Sequence, residues 1–90
     1  LWVGTNEGLI KIFRGKGKSN YKLLEYKNES ENRKSLSNNV VRSICEDSYG
    51  VLWIGTDYGL NKISLIDRNK TSPKFQHYFH SLLNMVKPPN

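Results

Sequence analysis

The sequence predicts an all-β chain, about one and three-quarter units of a repeated four-stranded antiparallel sheet, and three observations carry that prediction. The first is a repeat: Leu52, Trp53, Gly55, Thr56, Gly59, Leu60, Lys62 and Ile63 meet identical residues 51 positions earlier, at Leu1, Trp2, Gly4, Thr5, Gly8, Leu9, Lys11 and Ile12. Ile54 with Val3 and Asp57 with Asn6 are near-equivalent pairs, so the side-chain environment recurs along with the spacing. The second is the two-residue period inside each copy, which sets Val51, Trp53 and Gly55 on one strand face and Leu52, Ile54 and Thr56 on the other. The third is turn chemistry between the apolar runs: Asp57-Tyr58-Gly59 in one copy and Asn6-Glu7-Gly8 in the other each end in a residue free to take positive φ.

Taken in order, Leu1 to Thr5 and Gly8 to Phe13 form a first hairpin. Arg14 to Asn20 follows as a Gly-rich, charged loop. Its GKGKS lacks the G-x-x-x-x-G-K-[ST] spacing, and no helical pattern follows it, which argues against a nucleotide site. Tyr21 to Tyr26 reads as a third strand, polar enough for an edge. Lys27 to Ser35 is a charged, Asn- and Ser-rich connector with no apolar anchor, expected to be mobile. Val40 to Glu46 is the next strand; Val41 and Ile44 stand three apart, so alternation fails and a bulge or two-sided burial is required. Asp47 to Gly50 is a tight turn into the second hairpin, Val51 to Thr56 and Leu60 to Ser64. Leu65 to Pro73 reads as a loop, and Lys74 to Phe79 as a strand standing where Lys22 to Tyr26 stands in the first unit, at a shift of 52. Ser81 to Asn90 loses the pattern, and Pro88-Pro89 excludes regular structure there.

The divisions are therefore a partial unit of three strands over residues 1–27, a connector over 28–35, a complete four-stranded unit over 36–80 and an irregular tail over 81–90. A strand apolar on both faces must be covered on both, as when one small sheet stacks between two neighbours. Four short strands at a period near 51 describe one blade of a β-propeller, lengthened by the connector. The first unit lacks an opening strand, which is expected just upstream of Leu1. The chain also begins without Met inside a strand motif, so the natural N-terminus is expected upstream as well.

Ninety residues allow one domain at most, and a chain of that size buries only about 60 to 65% of its unfolded surface. The 37% hydrophobic and 11% aromatic content fits a folded chain and excludes a disordered tail. No apolar run is long enough to cross a bilayer. The net charge of +6 raises nucleic acid or anionic surfaces as partners. Lys11, Arg14, Lys16, Lys18, Lys22 and Lys27 nevertheless surround one hairpin tip, where a solvated face is the simpler reading. A nucleic-acid module would interleave aromatics with its cations, and Trp2 and Trp53 instead occupy positions that pack blade on blade. Cys45 has no disulfide partner and reads as a buried, inert thiol. His77 and His80 would point to opposite faces of a strand and make a poor metal pair, and Asp47 with Asp57 is too sparse for calcium. No catalytic, cofactor-binding or metal residue is named, and no cofactor is expected.

Leu36 to Ser64 resembles the two-component regulator propeller repeat, whose V-x-x-I-x-E-D strand, turn ending in Gly, L-W-I-G-T strand and G-L hairpin are here Val41, Ile44, Glu46 and Asp47, then Gly50, Leu52 to Thr56, and Gly59 with Leu60. The resemblance implies a multi-bladed propeller in the extracytoplasmic, periplasmic sensor region of a bacterial hybrid two-component system. Many such regions respond to glycan fragments and carry a kinase beyond the membrane. It thus implies a non-enzymatic piece whose partners are the other blades of a parent propeller, or copies of itself, and a carbohydrate ligand for the intact propeller, with no nucleic acid and no membrane span in this chain. The alternatives are part of a propeller enzyme acting on glycans and a basic nucleic-acid-binding module.

Overall fold

A computed structural model of the chain describes residues 1–15 and 20–78. The Gly-rich loop between Lys16 and Ser19, His80, the end of the last predicted strand and the 81–90 tail lie outside the described residues.

Two antiparallel meanders make up the fold. The first contains β1 (Trp2–Thr5), β2 (Gly8–Arg14) and β3 (Tyr21–Tyr26), in that spatial order. The second contains β4 (Val41–Glu46), β5 (Leu52–Thr56), β6 (Gly59–Ile63) and β7 (Gln76–Tyr78), also in chain order. This is the three-plus-four count of the sequence, and the chain is an all-β propeller fragment.

Each hairpin is closed by the Thr of its L-W-x-G-T run. Thr5 Oγ1 donates to the Gly8 carbonyl at 2.8 Å and accepts the Glu7 amide at 3.0 Å; Thr56 Oγ1 does the same with Gly59 and Tyr58 at 2.9 and 3.1 Å. Among the described residues only glycine has positive φ, and the reversal of the chain in the two hairpins falls on Gly8 (φ 126°) and Gly59 (φ 100°). The irregularity predicted around Val41 and Ile44 is a register shift between Val41 and Ser43, which oppose Thr56 and Gly55.

The core lies between the two sheets. Leu9 of β2, Leu36, Val41, Leu52, Ile54, Ile63 and Phe75 form one buried cluster, with Trp2, Tyr26 and Ile44 packed against it. The Trp2, Gly4, Leu9 and Lys11 face of the first sheet meets the Leu52, Ile54 and Ile63 face of the second. Gly4 is needed at this seam, because a Cβ there would lie 2.5 Å from Val41 Cγ1. Polar contacts cross it too: Lys11 Nζ donates to the Arg68 carbonyl and the Tyr26 hydroxyl to that of Thr71.

Three expectations are corrected. Leu65 to Pro73 is not all loop: Leu65–Arg68 is a short helix, α1, because Ser64 caps it by accepting the Asp67 amide at 3.2 Å. The connector is held after all, by polar groups. The Asn28 side chain donates to the Leu36 carbonyl at 2.8 Å, its amide to Asn39 Oδ1 at 2.7 Å, and the Glu29 amide to Ser35 Oγ at 2.9 Å. The Phe75 amide donates to the Lys34 carbonyl at 2.8 Å, so the connector is joined to the segment leading into β7. Cys45 is exposed, because the face of β4 that carries it is turned away from the first sheet.

Candidate functional site

The L-W-x-G-T strand builds the same surface twice. In the first sheet Trp2 opposes Lys11 and Leu9 opposes Tyr26; in the second Trp53 opposes Lys62 and Leu60 opposes Tyr78. The rings follow suit: Trp2 and Tyr26 have centroids 6.0 Å apart, as do Trp53 and Tyr78. Lys11 Nζ stands 5.4 Å from the Trp2 ring and Lys62 Nζ 5.5 Å from that of Trp53, distances at which a cation is attracted to the ring face. The first of these surfaces is covered by the second sheet, and Leu9 is fully buried there. Leu60, in the same place on the second, is only half-buried. Lys11 is therefore not part of a solvated hairpin tip, as the charge run implied, but part of the seam.

Asp47 fixes the turn into β5. Its Oδ1 accepts the amides of Tyr49 (2.9 Å) and Val51 (3.0 Å), and its Oδ2 accepts the Trp53 indole N–H at 3.0 Å. The indole bond, followed by those two amides and the charge of Lys62, holds this carboxyl below its ordinary range. Arg42 makes a two-pronged pair with Asp57, Nε to Oδ1 at 2.6 Å and an Nη to Oδ2 at 3.2 Å, which binds the strand to the hairpin turn and lowers the Asp57 pKa.

The least apparent residue in the sequence is Asn61. It is fully buried; its Oδ1 accepts the Ser37 amide at 3.0 Å and its Nδ2 donates to Ser37 Oγ at 2.8 Å, which locks the L-S-N-N entry onto β6. The signal was the mismatch within the repeat, since the equivalent position holds Ile10.

Among the described residues no three His, Cys, Asp or Glu side chains could hold a metal ion, and no described helix is long and apolar enough to cross a membrane. His77 Nε2 bonds the Ser35 carbonyl, which ties β7 to the connector. A polar cleft of about 250 Å³ lies between the outer ends of the two sheets, walled by Tyr26, Phe75 and Pro73 and edged by Glu25, Glu29 and Lys34. Burial raises the Tyr26 phenol pKa at that wall.

The Thr-closed hairpin turn and the Lys standing over the Trp ring occur in both copies of one recurring unit. Residues 35–58 match the family model described as two component regulator propeller. No curated protein matches the chain, and no solved structure matches it. The regulator propeller match begins at the buried Ser35 and ends in the β5–β6 turn, so it spans the L-S-N-N entry, β4, the Asp47 turn and β5. The family is a regulator propeller family and not a catalytic one.

Proposed function

We propose that this chain supplies neighbouring blades of a ligand-sensing propeller and carries no chemistry of its own. The observation behind this reading is the doubled surface: the Trp2 face of the first sheet is sealed by the second, and the second presents the same face again around Trp53. A sheet built this way has its role between neighbours, and the partner it is shaped for is another blade. Lys11 and Lys62 stand over the tryptophan rings, which weighs against a nucleic-acid module, since these cations and aromatics satisfy each other.

From the regulator propeller resemblance the proposal takes an extracytoplasmic place in a two-component sensor and a response of the whole propeller to glycan fragments. The coding sequence around this chain tests it. Further L-W-[IV]-G-T copies are expected there, together with a membrane-spanning segment and a kinase. The polypeptide so encoded should rise in thermal midpoint with some members of an oligosaccharide panel and should release no product from them. Hydrolysis that is abolished by changing a pair of its carboxylates would replace this reading with the glycan-enzyme alternative.

A further inference from the structure

We propose that Asn69 is an acceptor for asparagine-linked glycosylation, with a lipid-pyrophosphate-linked oligosaccharide as the donor. Two stretches of the chain have the N-x-[ST] pattern without Pro at its centre, Asn28-Glu29-Ser30 and Asn69-Lys70-Thr71. The second also has an acidic residue two positions before its Asn, Asp67, which is the further element read by the bacterial form of the modification. In the first, Tyr26 stands at that place.

The fold separates the two in the same sense. Asn69 is the C-cap of α1, and Asn69, Lys70 and Thr71 are all exposed in the loop that leads to β7. The side-chain nitrogen of Asn69 makes one long bond, to the Leu65 carbonyl at 3.4 Å, while the backbone amides of Asn69 and Lys70 bond back to Ile66 and Asp67 at 3.3 and 3.0 Å. Bonds of this kind, in the last turn of a four-residue helix, fray readily. Asn28 is tied instead. Its side-chain nitrogen donates to the Leu36 carbonyl at 2.8 Å, its backbone amide to Asn39 Oδ1 at 2.7 Å, and the next amide to the buried Ser35. A transferase that draws its acceptor into an extended turn therefore meets a loose segment at Asn69 and an anchored one at Asn28.

Asp67 is paired with Lys70 at 3.1 Å, and the lysine side of that pair is open to water, where such pairs are weak, so drawing the loop out releases the carboxylate. Transfer forms a bond from Asn69 Nδ2 to the anomeric carbon of the donor sugar as the bond from that carbon to the pyrophosphate oxygen breaks. The electron pair leaves with the pyrophosphate, and an amide proton passes to a base of the transferase. Because this modification takes place outside the cytoplasm, in the cell it rests on the extracytoplasmic place proposed above.

A reconstituted reaction tests the acceptor independently of location: the full chain with a purified bacterial oligosaccharyltransferase and a lipid-pyrophosphate-linked oligosaccharide. Intact mass should rise by one oligosaccharide, and fragmentation should place it on Asn69 with Asn28 unmodified. Asn69→Gln and Thr71→Ala chains should gain no mass. An Asp67→Ala chain should react at least about tenfold more slowly, the effect of losing one contact to a charged group. Should a variant fail to fold, the position of the sugar on the unaltered chain still decides the matter. Absence of transfer, transfer to Asn28, or an Asp67→Ala chain that reacts at the unaltered rate would overturn the proposal. A coding sequence without a membrane-spanning segment would sink the extracytoplasmic reading and leave this result intact, so the two fail separately.

Discussion

Replacing Gly4 by Ala should destabilise the chain by on the order of 1–2 kcal/mol, whereas the same change at its repeat partner Gly55 should be nearly neutral. At Gly4 the added Cβ falls 2.5 Å from Val41 Cγ1, 3.0 Å from Val41 Cβ and 3.5 Å from Ile44 Cδ1. Carbon pairs are most favourable at about 3.5–4.0 Å, so the sheets must part by roughly 1 Å. Val41 cannot rotate clear, because its Cβ is itself in the way and β-branched side chains hold one χ1 well. Overpacking of this kind costs about 1–3 kcal/mol, offset by about 0.4–1 kcal/mol from the stiffer unfolded chain. At Gly55 the close atom is Ser43 Oγ, also at 2.5 Å, but it is the end of an exposed side chain that can turn away. Urea unfolding followed by tryptophan fluorescence measures both variants, and Val41→Ala in the Gly4→Ala background should restore about 1 kcal/mol relative to additivity. If Gly4→Ala and Gly55→Ala agree within about 0.3 kcal/mol, or if the double mutant is additive, the seam does not run through Gly4 and Val41.

Three further outcomes are expected. The indole N–H resonance of Trp53 should titrate with Asp47, whose carboxyl is held below the ordinary value of about 3.9; the clamp is complete above that pH and is lost as pH falls through the lowered value, so a transition at or above about 4 would contradict it. Asn61→Ala should cost about 1–3 kcal/mol in urea unfolding, because the Ser37 amide loses its acceptor inside the core, and a loss under about 0.5 kcal/mol would show that the network does not hold the L-S-N-N entry. Trypsin should cut the Lys34–Ser35 bond more slowly in the unaltered chain than in an Asn28→Ala variant, since Ser35 is buried and Asn28 anchors the connector; equal rates would restore the view of a loose connector.

What the sequence disclosed and what it hid follow from the same cause. The hairpins, the third strand and the bulge near Val41 were legible because they depend on local periodicity and on turn residues, which a repeat displays twice. The pairing of Tyr26 and Tyr78 with Leu9 and Leu60 agrees with the shift of 52 read for the third strands. The connector was misjudged because its anchors are side-chain amides and hydroxyls, Asn28, Asn39 and Ser35, which look like loop composition until their acceptors are known. Cys45 was misplaced because apolar character was taken for burial, when its strand leaves one face uncovered. Helix α1 was missed because four residues with a Ser cap carry too little period to register. No ligand-contacting residue was named from the sequence.

The account rests on the two repeat copies stacking face to face, and nuclear Overhauser contacts between them test this most directly. In a sample with labelled Val methyls, Val41 methyl protons should show strong contacts to the Gly4 Hα protons, and Tyr26 ring protons should contact both Trp2 and Phe75, whose centroids lie 6.0 and 5.9 Å away. Val41 methyls that contact only residues of their own sheet, with Trp2 and Phe75 sharing no common neighbour in Tyr26, would mean that the two sheets do not stack.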